Sequence, residues 1–283
     1  MLKVQLFAGL GNQLFMIFAT VSYAIDYGIN YGIISYMNKT LDGPATYWDT
    51  ILDAFKKDVD IKGFNSDDVY MEPSFEFNEL PSHLAEKDNI IKGYFQSYKY
   101  FEHNYYKIID KMGLREKQKV VRNEYSEMLK DKTIAMHFRF GDYIALQQFH
   151  CIKPPAYFID ALKSLSDDLM TRGESIEDYK ILYFCEPGND KYVSEFLKIM
   201  RCVINQKLNF VGVPDNIPDW KQLLLMSCCN HFIITNSTFS WFGAYFSEKE
   251  DKIVYRPKKW FGPANSNKNT RDICPTSWKT IDI

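Results

Sequence analysis

The chain has 283 residues, with 34 Lys and Arg against 36 Asp and Glu, a formal net charge of −2. That near balance argues against a nucleic-acid partner, whose electrostatic footprint is a basic excess. No apolar run approaches the roughly 20 residues needed to span a bilayer, and the length suits two domains of ordinary size.

The first predicted element is a strand over residues 3–7. No charged head with a long apolar core precedes it, so no secretory signal and a cytoplasmic location are expected. Apolar spacing at Leu14, Ile17, Phe18, Val21, Ala24 and Ile25 predicts a helix over 12–26, stopping near Gly28. A strand over 29–36, a helix over 47–57 and a polar loop over 58–88 follow. Residues 90–95 read as a strand, 98–112 as a Tyr-rich helix and 115–130 as an exposed helix. The second half alternates plainly. Strands are predicted at 133–138, 180–184, 208–211, 232–235 and 252–255, and helices at 155–169, 190–200, 219–228 and 240–248. Asp219 and Ser240 are placed as helix N-caps and Pro155 in a first helical turn. Strand–helix alternation implies an α/β chain with a doubly wound parallel sheet, and the domain boundary is drawn at residue 130.

Six cysteines show neither CxxC nor zinc-ligand spacing and read as free thiols. Asn38-Lys39-Thr40 and Asn236-Ser237-Thr238 match glycosylation sequons, expected to stay unmodified without a secretory route. Asp67-Asp68 and Asp167-Asp168 lie in polar stretches, and no Asp-x-Asp stands at a strand end, so no metal site is expected. His83, His103, His150 and His231 are not clustered in the sequence.

Three strings carry chemistry. His137-Phe138-Arg139-Phe140-Gly141-Asp142-Tyr143 ends the 133–138 strand, where α/β sheets place their ligands. Arg139 can fork onto two phosphate oxygens and stabilise charge on a leaving diphosphate. His137, two residues earlier, shares its side of the strand. Asp142 is either a general base for an acceptor hydroxyl or a group that orients Arg139. Gly9-Leu10-Gly11-Asn12-Gln13-Leu14-Phe15 follows the first strand and opens a helix. It begins like the dinucleotide fingerprint GxGxxG, but Leu14 stands where the third glycine belongs, and Asp26 falls too early for the ribose carboxylate. Asn236-Ser237-Thr238-Phe239-Ser240-Trp241-Phe242-Gly243 also opens a helix after a strand. Free backbone amides with the Ser237, Thr238 and Ser240 hydroxyls suit a pyrophosphate. Trp241 and Phe242 read as core.

Together and in this order, the three strings resemble the α-1,2-fucosyltransferases of glycosyltransferase family 11. Asp219-Trp220, Leu224-Leu225-Met226-Ser227, Cys229, His231 and Arg256-Pro257…Trp260-Phe261 extend the resemblance. It implies a GT-B architecture of two Rossmann-like domains facing a cleft. Residues 1–130 would form the acceptor side and 131–283 the GDP-fucose domain. It further implies an inverting, metal-independent transfer of L-fucose from GDP-β-L-fucose to the 2-hydroxyl of a terminal galactose on a glycan, with no cofactor. Arg139 and Asp142 are then the catalytic residues. Gly11, Asn12, Gln13, His137, Glu186, Asn236, Ser237, Thr238, Phe239 and Ser240 bind the donor. Within this set, Asn12 and Gln13 face the sugars.

Two departures stand out. Family members usually carry a second arginine where this chain has Phe140, for which a lysine elsewhere is a possible substitute. They tend to have Ser-Asp-Asp where it reads Cys185-Glu186-Pro187; Glu186 would read guanine N1 and N2, or else be a solvated turn residue. The alternatives are a GDP-fucose transferase of another linkage, a non-catalytic glycan- or nucleotide-binding protein of the same fold, and, least supported, an NAD enzyme.

Overall fold

The computed structural model describes residues 1–35, 45–60 and 68–283, apart from the side chain of Asp190. They form two compact units, Met1–Lys117 with Lys268–Pro275, and Gln118–Asn267 with Thr276–Ile283. Tyr36, the Asn38–Thr40 sequon and Asp67 lie outside the described residues.

In the first unit β1 (Leu2–Gln5) leads into α1 (Leu10–Tyr27), followed by β2 (Tyr31–Ile34), β3 (Val59–Asp60), β4 (Val69–Met71) and β5 (Asn89–Lys92). The strands are all parallel in the order β3-β2-β1-β5-β4. Nearly every residue of α1 from Leu10 to Ala24 is buried, so this helix belongs to the core rather than to a surface face. Gly28, at φ +62, ends it by donating its N–H to the Ala24 and Ile25 carbonyls, a left-handed cap that glycine adopts without steric cost.

Three local expectations fail here. Residues 47–57 are not an α-helix but turns closing in a 3-10 segment, Asp53–Asp58. The Leu52 N–H reaches back five residues to Tyr47 O (3.0 Å), which breaks the α register. The polar 58–88 stretch contains β3 and β4, two and three residues long, too short to show a period. The 98–112 helix divides into two 3-10 turns and α2 (Tyr105–Met112).

The second unit starts inside α3 (Leu114–Glu124), which ends before the predicted residue 130. It continues through β6 (Lys132–His137), α4 (Pro155–Thr171), β7 (Tyr179–Phe184), α5 (Asp190–Val203), β8 (Asn209–Gly212), α6 (Asp219–Ser227), β9 (His231–Ile233), α7 (Thr238–Tyr245) and β10 (Val254–Pro257). A last strand, β11 (Lys279–Ile281), was absent from the sequence reading. All pairs are parallel, in the order β11-β10-β9-β6-β7-β8. This is the doubly wound nucleotide-binding order, reversing between β6 and β9. The α/β reading with parallel sheets is therefore met in both units, each a Rossmann-like sheet of the kind that makes up GT-B enzymes. Among the described residues, no helix is long and apolar enough to cross a membrane.

Residues alternate across the second sheet. Ile134, Met136, Phe138 and Phe140 join Phe158, Leu162 and Leu165 of α4, with Ile233 and Tyr255, in one buried cluster. Thr133, Ala135, His137 and Arg139 fall on the other face. Two cap assignments are corrected. Pro218 and Ser237 occupy the N-cap positions, and Asp219 is the first helical residue. Ser240 sits fully buried inside the first turn of α7, its hydroxyl donating to Ser237 O at 3.2 Å. Pro155 does open α4.

Candidate donor and sugar sites

The sheet order brings two of the three strings together. β6 and β9 are neighbours, so the residues just past them meet at the carboxyl edge where the strand order reverses. His137 Nδ1 lies 3.1 Å from Thr235 Oγ1, and its ring lies 5.6 Å from that of Phe239 in the first turn of α7. Burial, reinforced by the Arg139 charge, pushes the His137 imidazole down to about 3, so it is neutral at ordinary pH.

Arg139 is held on three sides. Its guanidinium pairs with Asp142 and with Glu186, and lies over the Tyr143 ring at 4.8 Å. Gly141 serves the turn through its backbone: its φ is +35, a conformation that L side chains rarely adopt. Glu186 Oε2 also accepts the Phe140 N–H at 3.1 Å. The Asp142 side chain is 57% exposed and that of Glu186 24%, so Asp142 is the partner a ligand can displace. Tyr143 donates to Asn236 O at 3.0 Å and stacks on His150 at 4.5 Å, which ties the arginine loop to the third string.

Within that string the residues divide. Asn236 is buried and its side chain donates to Trp260 O at 2.9 Å. Ser240 is buried and bonded to its own turn. Ser237 makes no side-chain cap bond, so the first-turn amides of Thr238, Phe239 and Ser240 are donors without an acceptor inside the helix, an arrangement that suits an anion. Trp241 and Phe242 are fully buried. Phe140, at the position of the family's second arginine, is 3% exposed and packs on Phe138, Tyr192 and Phe196.

The first unit has its own order reversal, at β1 and β5. Two non-glycine residues there have positive φ, Ala8 at 62° and Phe95 at 50°, the kind of backbone strain that clusters at ligand sites. Gln13 is buried and donates to Ala8 O (2.9 Å) and Ala45 O (3.0 Å), so its amide shapes the loop. Gly11 is buried within α1. Asn12 accepts from Gln96 Nε2 at 2.6 Å. Glu72 accepts the Tyr94 and Phe95 N–H groups, and burial pushes its carboxyl up to about 7 against those bonds. Glu72 and Gln96 escaped the sequence reading; a signal for Gln96 was the strand-ending string Lys92-Gly93-Tyr94-Phe95-Gln96.

His231 is structural: Nδ1 accepts the Ile253 N–H at 3.1 Å, and Nε2 faces Tyr179 Oη at 3.1 Å. Burial lowers it to about 4. Both depressed imidazoles bind fewer protons folded than unfolded. Their contribution is complete above the unfolded value of 6.5 and is lost as pH falls through the folded values near 3 and 4. Acidification from pH 7 to pH 5 should therefore weaken the second unit, by up to about 1.4 kcal/mol per pH unit for each histidine. Glu72 acts oppositely in the first unit: its contribution is complete below 4.5 and lost as pH rises through about 7. Thermal midpoints against pH, compared with His231→Gln, test this; equal slopes in the two proteins would refute the assignment for His231.

Residues 200–282 match the model of glycosyl transferase family 11, as the motifs had indicated. The chain is 32% identical over 145 residues to the O-antigen biosynthesis glycosyltransferase WbnK of Escherichia coli, covering 50% of this chain and 43% of that protein. It is 26% identical over 163 residues to an alpha-1,2-colitosyltransferase of Escherichia coli, covering 56% of this chain and 51% of the other. The aligned stretches thus span about half the length of these curated relatives. Among solved structures, the NodZ alpha-1,6-fucosyltransferase co-crystallized with GDP aligns over 86% of this chain and 91% of its own, at 12% identity and a TM-score of 0.49. At that score the fold assignment rests on the strand orders above.

Proposed function

We propose that this chain, whose residues 200–282 match the model of glycosyl transferase family 11, is an inverting, metal-independent glycosyltransferase. It would move L-fucose from GDP-β-L-fucose to the 2-hydroxyl of a terminal galactose on a glycan, in the cytoplasm. The observation that carries this reading is that the Arg139 loop and the start of α7 share the β6/β9 edge, where His137 lies against Phe239 and Tyr143 bonds Asn236 O. A fixed cation and free amides there suit a diphosphate leaving group. Residues 118–267 and 276–283 would hold the donor. Asn12 and Gln13 in the first unit are assigned to the sugars, and Gly11 to the donor, by the family resemblance.

The chemistry follows from the ion pairs. A diphosphate taking the outer edge of the Arg139 guanidinium displaces the exposed carboxylate of Asp142 and leaves Glu186 holding the inner edge. Asp142, freed, can then accept the proton of the attacking hydroxyl while the bond from the anomeric carbon to the phosphate oxygen breaks. Glu186, assigned to guanine from the sequence, instead fits a role in aiming Arg139. Asp142→Asn should lower turnover by about 10²–10⁴-fold with GDP affinity kept. A parallel loss of GDP affinity would make Asp142 only an orienting group.

The colitosyltransferase relative favours a second reading, in which the same linkage is made with colitose as the transferred sugar. GDP release from GDP-fucose, with EDTA present and a panel of galactose-ended acceptors, tests the first reading. Acceptor-dependent release supports it, and the linkage of the product decides the position attacked. Binding without release under any acceptor would favour the second donor or a non-catalytic protein.

A further inference from the structure

Phe140 leaves the donor site with one arginine where relatives usually have two, and a substitute cation has to come from elsewhere. Lys153 is the buried lysine of this region, but its Nζ already donates to Lys259 O at 2.6 Å and contacts Cys151 Sγ at 2.8 Å. Arg256 is different. Its Nε is sealed from solvent and meets no acceptor, and NH1 has only a 3.5 Å contact with the adjacent Pro257 carbonyl. No carboxylate pairs with it among the described residues. A buried N–H on a cation without a partner is costly, and the cost is relieved by an anion.

The sheet register shows where that anion would lie. Tyr255 pairs with Ile233, and Ile233 with Met136. Arg256 and His137 each follow by one residue and so stand just beyond this shared rung. The Tyr255 hydroxyl donates to Asp168 on α4 at 2.7 Å, and Met136 lies in the same α4-side cluster. Their successors therefore project from the opposite face, the one on which His137 meets Phe239 of α7. Strands β6, β9 and β10 are consecutive in the sheet, and α7 starts from the middle one. The strands that lead to Arg139 and Arg256 thus flank β9, from which α7 starts.

We propose that Arg256 is the second cation of this site and binds the diphosphate of the nucleotide across the α7 first turn from Arg139. The proposal rests on the donor reading above. Because it moves the charge from β6 to β10, it also explains how position 140 is occupied by a core phenylalanine.

Calorimetry on the full chain, with GDP, guanosine and inorganic pyrophosphate as probes, tests it in the wild type, Arg256→Met and Arg256→Lys. Arg256→Met should weaken GDP binding by roughly 10–100-fold while guanosine binding stays within about twofold, since guanosine has no phosphate to lose. Its thermal midpoint without nucleotide should be no lower than that of the wild type, because a sealed N–H without an acceptor has been removed. Arg256→Lys should recover part of the GDP affinity. Unchanged GDP affinity in Arg256→Met, an equal loss for guanosine, or a clearly lowered midpoint would each overturn the assignment. If the wild type binds pyrophosphate in an Arg256-dependent way but not GDP, the donor reading fails and the cation site stands. If the wild type binds neither, both fail.

Discussion

Arg139→Ala should reduce turnover of the nucleotide-sugar by about 10²–10³-fold, the usual cost of removing one preorganised group aimed at developing charge. The size of the effect follows from how the side chain is held. Asp142 and Glu186 pair with its guanidinium and Tyr143 lies beneath it, so on the proposed reading it is already in place before charge builds on a leaving phosphate. Stability should change little. The pairs are partly solvated, and exposed pairs contribute about 1 kcal/mol or less. Arg139→Lys keeps the charge but not the planar fork, and should recover only a fraction of the rate. Steady-state kinetics with a thermal midpoint as control settle the matter; near-normal turnover in a folded Arg139→Ala protein would falsify the role given to this residue.

Phe140→Arg introduces the arginine usual in the family that the motifs resemble and should nevertheless fail. Phe140 is 3% exposed in the cluster of Phe138, Phe158 and Phe196, on the face opposite to Arg139. A guanidinium there would lie among the rings of Phe138, Tyr192 and Phe196, and burying it in that cluster while losing the aromatic contacts should cost about 3–5 kcal/mol or more. That is a large part of the stability of an ordinary domain. Little soluble protein, or a strongly lowered denaturant midpoint, is the expected result, whereas Phe140→Leu should fold. A stable Phe140→Arg protein with tighter GDP binding would mean that residue 140 can turn to the donor face, and the register argument would fall.

The second unit was readable because its strands are short apolar runs between helices with clear periods, and each motif string directly follows a strand. The first was less so. β3 and β4 have two and three residues, and the segment around Leu52 has helical apolar spacing without an α register. Ser240 looked like a cap because it precedes an apolar run, yet Ser237 holds that position. Choosing between hydroxyls three residues apart depends on where the chain leaves β9.

From the sequence alone came the residue types needed for a diphosphate site, their place at strand ends and helix starts, and the family they resemble. Those depend on local periodicity and on side-chain chemistry, both written along the chain. Only the tertiary structure decided that His137 lies against Thr235 across 98 positions, that Glu186 holds Arg139, and that Phe140 and Arg256 face opposite ways. These follow from which strands pair and in what register. Pairing is fixed by how two distant faces bury their apolar residues together, and a one-residue shift in register would exchange the faces and dismantle the site.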